Sequence, residues 1–257
     1  MIHPTAIVHE NAQVHDSAEI SPYAIIDEHV TLGADCLVGP HAHLTGHTTI
    51  GSGNRFHTGC VIGDAPQDVK YDGEPTRLII GDGNSFREHV TIHRSNTLEE
   101  DTRIGSENMF MANSHVGHNA IVGNRAILAN GALVGGHAII GDGAFLSGNA
   151  VVHQFCRVGS MAMMQGCSGV SLDLPPFTIV RGINGMCGLN SVGLKRAGFS
   201  SEERLELKQA YRALFMGSDL MKDAIAKARE RFTGVLAEQF IDFIDCSERG
   251  TCSHTKR

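Results

Sequence analysis

The chain has 257 residues, 42% of them apolar and 19% charged, with a formal net charge of −7. The length suits one large domain or a domain with a small appendage, and the acidic balance disfavours a general nucleic-acid binder, because neutralising phosphates takes a basic surface. No apolar run approaches the roughly 20 residues of a membrane span, and MIHPTAIVHE has neither the basic nor the apolar region of a signal peptide, so a soluble, cytoplasmic protein is expected.

In chain order, the first feature is a six-residue period. A large apolar residue recurs from Ile2 through Val8, Val14, Ile20, Ile26, Leu32, Val38, Leu44, Ile50 and Phe56 to Ile62. It returns at Ile80, Phe86 and Ile92, and again from Ile104 to Val170, with no phase error inside any run. Four residues later the position is usually small, as at Ala18, Ala24, Ala120 and Ala138, and glycine often follows the large residue directly, as at Gly33 and Gly117. A helix needs period 3.6 and a flat strand period 2, and neither fits. Period six suits a short strand and a turn repeated around a triangular prism, with three hexads to a coil. Coils then stack about 4.8 Å apart, with the large residue inward. Gly or Asn is expected to supply φ > 0 at the corners. The predicted class is mainly β, a parallel β-helix of hexapeptide repeats.

Two stretches, 63–79 and 94–103, break the repeat and are expected to leave the prism as loops. The pattern ends at Pro175–Pro176. Ser200 and Glu203 then form a capping box that opens an amphipathic helix, which Gly217 ends. Further helices are expected over about 219–231 and 234–245, with a frayed tail. The expected organisation is a β-helix over 1–190 and a C-terminal α-helical cap over 191–257. The seven cysteines form no C-x-x-C pair and read as reduced thiols.

The three-hexad register turns spacing into adjacency. His118, Gly136 and Gln154 fall in one column, Asn119 stacks beneath His137, and His115, His118, His137 and His153 crowd one side of a few coils. A lone histidine on such a surface is most often only a solvated side chain; four beside a glycine and a glutamine point to chemistry. Imidazole titrates near neutrality and suits general-base work. A glycine one coil above leaves its N–H unshielded, as an oxyanion site requires. The pattern therefore points to acyl transfer by direct attack, since no Ser or Cys carries a nucleophile signature. Three histidines also suit an open zinc site, as in a left-handed β-helix carbonic anhydrase. No acidic partner stands next to these histidines in the sequence, so neither a metal nor another cofactor is expected.

The segments QDVKYDGEPTRLIIGD (67–82), REHVTIHR (87–94), HVGHNAIVGNRAILAN (115–130), VHQFCRVG (152–159), GCSGV (166–170) and GLNSVGLKRAGFS (188–200) closely resemble the acyl-[acyl-carrier-protein]–UDP-N-acetylglucosamine O-acyltransferases over nearly the whole chain. The resemblance implies a left-handed, homotrimeric β-helix. Its implied activity is transfer of a (3-hydroxy)fatty acyl group from acyl carrier protein to the 3-position of UDP-N-acetylglucosamine, the first step of lipid A biosynthesis. It further implies His118 as the base that deprotonates the sugar hydroxyl and Gly136 as the oxyanion N–H donor. Asp68 and Lys70 would contact the sugar and acyl region from a neighbouring subunit. His115, His137, His153 and Gln154 would line the cleft, and Asn190 and Arg196 would bind the nucleotide. Gly166 would leave the acyl channel deep, while Gln165 departs from the small residue expected beside it.

Two further departures bear on mechanism. The family usually has Asp after the catalytic histidine, where this chain has Asn119; an amide orients the imidazole but contributes no charge. That implies a slower enzyme or a more nucleophilic acceptor, a UDP 3-amino sugar. Ala197 stands where a second arginine commonly follows Arg196, removing one phosphate donor. Lys195, Arg196, Arg204, Lys208 and Arg212 are a candidate docking patch for the acidic carrier, against the alternative of ordinary solvated charges. The rival functions are the later N-acyltransferase of the same pathway, which normally carries a domain ahead of its hexads, an acetyl-CoA-dependent acetyltransferase, and a non-catalytic β-helix homologue.

Overall fold

In a computed structural model, which describes residues 1–255, the hexads build a three-sided parallel β-helix. Two-residue strands dominate, and the chain visits the three faces in turn, beginning with Ile7–Val8, Gln13–Val14 and Glu19–Ile20. Regular coils pair residues three hexads apart, as in His115↔Leu133 and Leu133↔Val151. The large hexad residues point inward from Ile20 to Val170, where all are buried; Ile2 remains 51% exposed because no coil covers the first turn. Phe56, Phe86 and Phe110 stack at 4.9 Å along the prism axis. Cys36, Cys60 and Cys156 fill the same crowded position that alanine fills elsewhere, and burial pushes the Cys60 thiol up to about 12. These cysteines therefore serve packing.

The corners match expectation in part: Gly53, Gly131, Asn113 and Asn149 supply positive φ there, but many other residue types do so too. The positive-φ position lies three residues after the large one and is filled by Tyr23, Asp35, His41, Arg125, His137, Phe155 and Met161 among others, more often than by glycine. None of the non-glycine residues there is β-branched, the class most penalised in that region. The glycines directly after the large residue serve close approach instead. A Cβ on Gly117 would stand 2.8 Å from the Gly136 nitrogen of the next coil. Coil spacing, not turn geometry, selects glycine there.

Both inserts leave the same edge. Val61 pairs with Thr91, five hexads on, and Thr91 with His115, four hexads on, against three in a regular coil. The first insert thus adds two hexads and the second adds one, so the apolar phase survives both. They run between strands Val61–Asp64 and Arg77–Ile80 and between Thr91–His93 and Thr102–Ile104, so each is shorter than the sequence break that marks it. Each bridges the first face to the second, the edge that carries residues 117–120 in the following coil.

The prism ends in strands Thr178–Arg181 and Gly185–Leu189. Helix α1 (Ser191–Arg196), which hydrophobic periodicity did not reveal, precedes α2 (Ser201–Phe215), α3 (Met221–Arg231) and α4 (Val235–Asp245). The Ser200–Glu203 capping box forms as expected. The tail does not fray over its described part: Ser253–His254 adds a parallel strand to Gly185–Leu189, and Cys252 is buried. Residues 256–257 lie outside the described residues. Buried Asp173 joins cap to prism, accepting hydrogen bonds from Arg157 Nε at 2.8 Å and from Ser247 Oγ at 2.9 Å. No described helix is long and apolar enough to cross a membrane.

Candidate active site

The edge that carries both inserts also carries the histidines. His118 and Asn119 form the corner between strands His115–Val116 and Ile121–Val122, with Gly136 and Gln154 in the same column on the next two coils. Along this column His137 N–H donates to His118 O, and Phe155 N–H donates to Gly136 O. The Gly136 N–H itself has no hydrogen-bond partner among the described residues.

A chain of obligate donors and acceptors sets the His118 tautomer. Asn119, at φ +58° and 5% exposed, receives the Asn96 backbone N–H on Oδ1 at 3.0 Å. Its Nδ2 donates to Ser95 Oγ at 2.8 Å and to Glu100 Oε2 at 3.2 Å. A backbone N–H only donates and an ionised carboxylate only accepts, so the amide cannot be turned over. His118 Nδ1, 2.9 Å from Asn119 Oδ1, must then carry its proton and donate. In the neutral ring this leaves the lone pair on Nε2, which with Cε1 forms the edge facing Gly136.

The flanking histidines are all shifted towards the neutral form. Burial, then His93 and His118, lowers His115 to about 4; its Nδ1 pairs with Thr91 Oγ1 at 2.7 Å. Burial, then His118, lowers His137, which meets the His118 ring edge-on at 5.3 Å and stacks on Phe155 at 4.6 Å. Burial likewise lowers His93. His153 and Gln154 are exposed at the upper rim of the column.

The first insert reaches this corner within the same chain. Asp68 Oδ2 accepts from Asn96 Nδ2 at 2.6 Å, and Asn96 binds Asn119 in turn. The Lys70 backbone N–H and then the Asn96 amide hold the Asp68 carboxyl below its usual range, and His118 adds to the effect. The Lys70 side chain lies exposed on the same insert. Arg94 latches the insert down, donating to Gly63 O at 2.9 Å and to Tyr71 Oη at 2.8 Å.

The remaining sequence-predicted residues lie elsewhere on the chain. Asn190 and Arg196 line a groove on the third face with Phe145, Met161 and Met163. Asn190 caps α1 and donates to Met161 O. Gln165 and Gly166 occupy the edge between the third face and the first. Sequence reasoning missed Ser95, Asn96 and Glu100, which carry no hexad mark. A signal was present, because each break follows a hexad of the face that leads to His118. Among the described residues no group of three or more His, Cys, Asp and Glu side chains is arranged to hold a metal ion.

Comparison with known proteins agrees with this architecture. The family profile for the bacterial transferase hexapeptide (six repeats) matches residues 29–64 and 101–136, and that for Udp N-acetylglucosamine O-acyltransferase, Domain 2, matches 173–252. The chain is 46% identical over 254 residues to the acyl-[acyl-carrier-protein]–UDP-N-acetylglucosamine O-acyltransferase of Anaeromyxobacter sp., covering 97% of this chain and 98% of the relative. Its namesake in Myxococcus xanthus is 42% identical over 252 residues with the same coverage. The UDP-N-acetylglucosamine acyltransferase structure of Francisella novicida superposes with a TM-score of 0.95 at 37% identity, covering 100% of this chain and 95% of that one. That of Campylobacter jejuni gives 0.93 at 32%, covering 99% and 100%. The prism is therefore the left-handed parallel β-helix of the hexapeptide transferases, and the chain belongs to the family of acyl-[acyl-carrier-protein]–UDP-N-acetylglucosamine O-acyltransferases.

Proposed function

We propose that this chain transfers a (3-hydroxy)fatty acyl group from acyl carrier protein to the 3-hydroxyl of UDP-N-acetylglucosamine, the first step of lipid A biosynthesis, with His118 as general base. The observation that carries the reading is the forced Nδ1–H tautomer, which leaves Nε2 free beside the Gly136 backbone. Nε2 takes the proton of the 3-hydroxyl as the oxygen attacks the thioester carbon. The carbonyl oxygen gains negative charge and is met by the Gly136 N–H. The tetrahedral adduct then expels the carrier thiolate, which receives the proton from the imidazolium, giving ester and thiol. No covalent enzyme intermediate and no cofactor enter.

Asp68 and Lys70 bind the sugar and acyl region, and His115, His137, His153 and Gln154 line the cleft. The enzyme is a cytoplasmic homotrimer. Leu133, Val151, Ile121 and Ile139 flank the His118 edge and are each over 40% exposed, apolar area that subunit packing removes from water. In the trimer a neighbour's Asn190 and Arg196 reach the nucleotide, and Gln165 and Gly166 limit the acyl channel.

A mass-spectrometric transfer assay tests this, with hydroxyacyl carrier proteins of several lengths and both UDP-N-acetylglucosamine and its 3-amino analogue as acceptors. Transfer to the hydroxyl acceptor that disappears in His118→Ala is the expected result. Transfer only to the amine overturns the choice of acceptor. No transfer to either from a folded protein overturns the activity, and transfer that persists in His118→Ala overturns the base.

A further inference from the structure

We propose that Glu100, on the second insert, is the acidic positioning residue of this site and acts on His118 through the side-chain amide of Asn119. The inference rests on the reading of His118 as the base. In sequence no carboxylate stands next to that histidine, and the position where the family usually carries one holds an amide. In the fold a carboxylate is nonetheless present, one hydrogen bond farther out. Glu100 Oε2 lies 3.2 Å from Asn119 Nδ2, and the same amide presents Oδ1 to His118 Nδ1 at 2.9 Å.

The orientation of that amide gives the link its direction. With the Asn96 N–H on Oδ1 and Ser95 and Glu100 on Nδ2, the amide dipole points its positive end at the carboxylate and its negative end at the imidazole. A negative charge beside the NH₂ group polarises the amide and strengthens Oδ1 as an acceptor. Stronger acceptance favours the imidazolium that forms as His118 takes the substrate proton. Glu100 Oε2 also stands 3.6 Å from His137 Nδ1, a second contact that holds it at this corner. Asp68 does not fill the role: its oxygens bind the Lys70 backbone N–H and the Asn96 side chain, with no hydrogen bond to His118 or Asn119.

The arrangement also reverses a simple expectation. Restoring a carboxylate by Asn119→Asp would not repair the site, because it would face the Glu100 carboxylate where the amide NH₂ now donates and would lose the bond to that acid. The amide and Glu100 work as a pair.

The test is a double-mutant cycle on the full chain, with E100Q, N119D, E100Q/N119D and H118A assayed alongside the unmodified protein. For each, kcat, KM for both substrates, the pH profile of kcat and the melting temperature are measured. E100Q is expected to lower kcat about tenfold with little change in KM, and to move the acid limb of the profile to lower pH, because a charge favouring the imidazolium is gone. His137 packs against the ring, and Asp68, His93 and His115 lie close enough to act on it electrostatically; all four are unchanged across the series. N119D is expected to lower kcat, and E100Q/N119D to recover most of it, because the new amide at 100 donates to the new carboxylate at 119. A purely structural role would move the melting temperature without the pH limb or the recovery. If E100Q leaves kcat and the limb unchanged while H118A is inactive, or if the two losses simply add, the inference is overturned and the base assignment stands. If H118A remains active, both fall.

Discussion

A methyl group built on Gly136 would stand 2.9 Å from both Cε1 and Nε2 of His118. The imidazole cannot swing away freely, because Asn119 holds its other edge. Gly136 lies outside the positive-φ positions, so alanine there avoids left-handed backbone strain, though its Cβ would also stand 3.2 Å from the His118 carbonyl oxygen. Gly136→Ala is therefore expected to lower kcat on the order of a hundredfold by displacing the base from the oxyanion donor, a loss comparable to removing one such donor. The melting temperature should stay within a degree or two. Steady-state kinetics beside a thermal melt check it, and a matching collapse of stability would refute the local explanation.

One buried and two half-buried histidines make stability pH-dependent. His115 sits near 4 in the folded protein against an ordinary 6.5, so the unfolded chain binds the proton more readily. Its stabilising contribution is full above pH 6.5 and is lost as pH falls towards 4, with His93 and His137 shifted in the same direction. The loss attributable to His115 is about 2–3 kcal/mol by pH 4. Urea unfolding at pH 7.5 and at pH 5 should show the decline, and His115→Gln should reduce it.

Arg94 tests the latch on the first insert. It bonds to Gly63 O and Tyr71 Oη and lies over the Tyr71 ring at 5.5 Å. Arg94→Ala should free the insert that carries Asp68 and raise the KM for the sugar nucleotide roughly tenfold, the order expected when positioning contacts are lost. Tryptic cleavage after Lys70 should quicken in parallel. Unchanged cleavage would show that the insert holds without the latch.

Asp173 tests the join between cap and prism. It is 2% exposed, and its loss strands Arg157 beside the end of α4. Asp173→Ala should cost about 3 kcal/mol, as for other buried pairs broken on one side. Equilibrium unfolding measures it; a change below half that value would mean the cap is held chiefly by its apolar contacts.

Complementation tests the proposal that subunits of a trimer share the cleft. His118→Ala and Arg196→Ala chains, unfolded and refolded together, should recover activity absent from either alone, because some interfaces then pair an intact His118 with an intact Arg196. Random mixing gives about a quarter of the sites. No recovery would place both groups in one subunit's site.

The hexad phase, the column of His118, Gly136 and Gln154, and the α2 capping box were all legible in the sequence, because each is a matter of spacing along one chain. The source of glycine at the second hexad position was not. Gly117 answers to the backbone of the next coil, while φ > 0 falls two residues later on residues as large as Phe155. Helix α1 escaped because six residues are too few to show a 3.6-residue period.

By itself the sequence determined the prism, since a period of six in large and small residues has only one economical way to bury its apolar side. It also determined which histidines share an edge. Only the tertiary structure decided what stands beside them. The inserts fold back through irregular paths with no repeat to count, and they bring Asp68, Asn96 and Glu100 to the Asn119 corner. Periodicity reports what faces the core; the partners of a polar side chain depend on where a loop closes, and that is set by contacts distant in sequence.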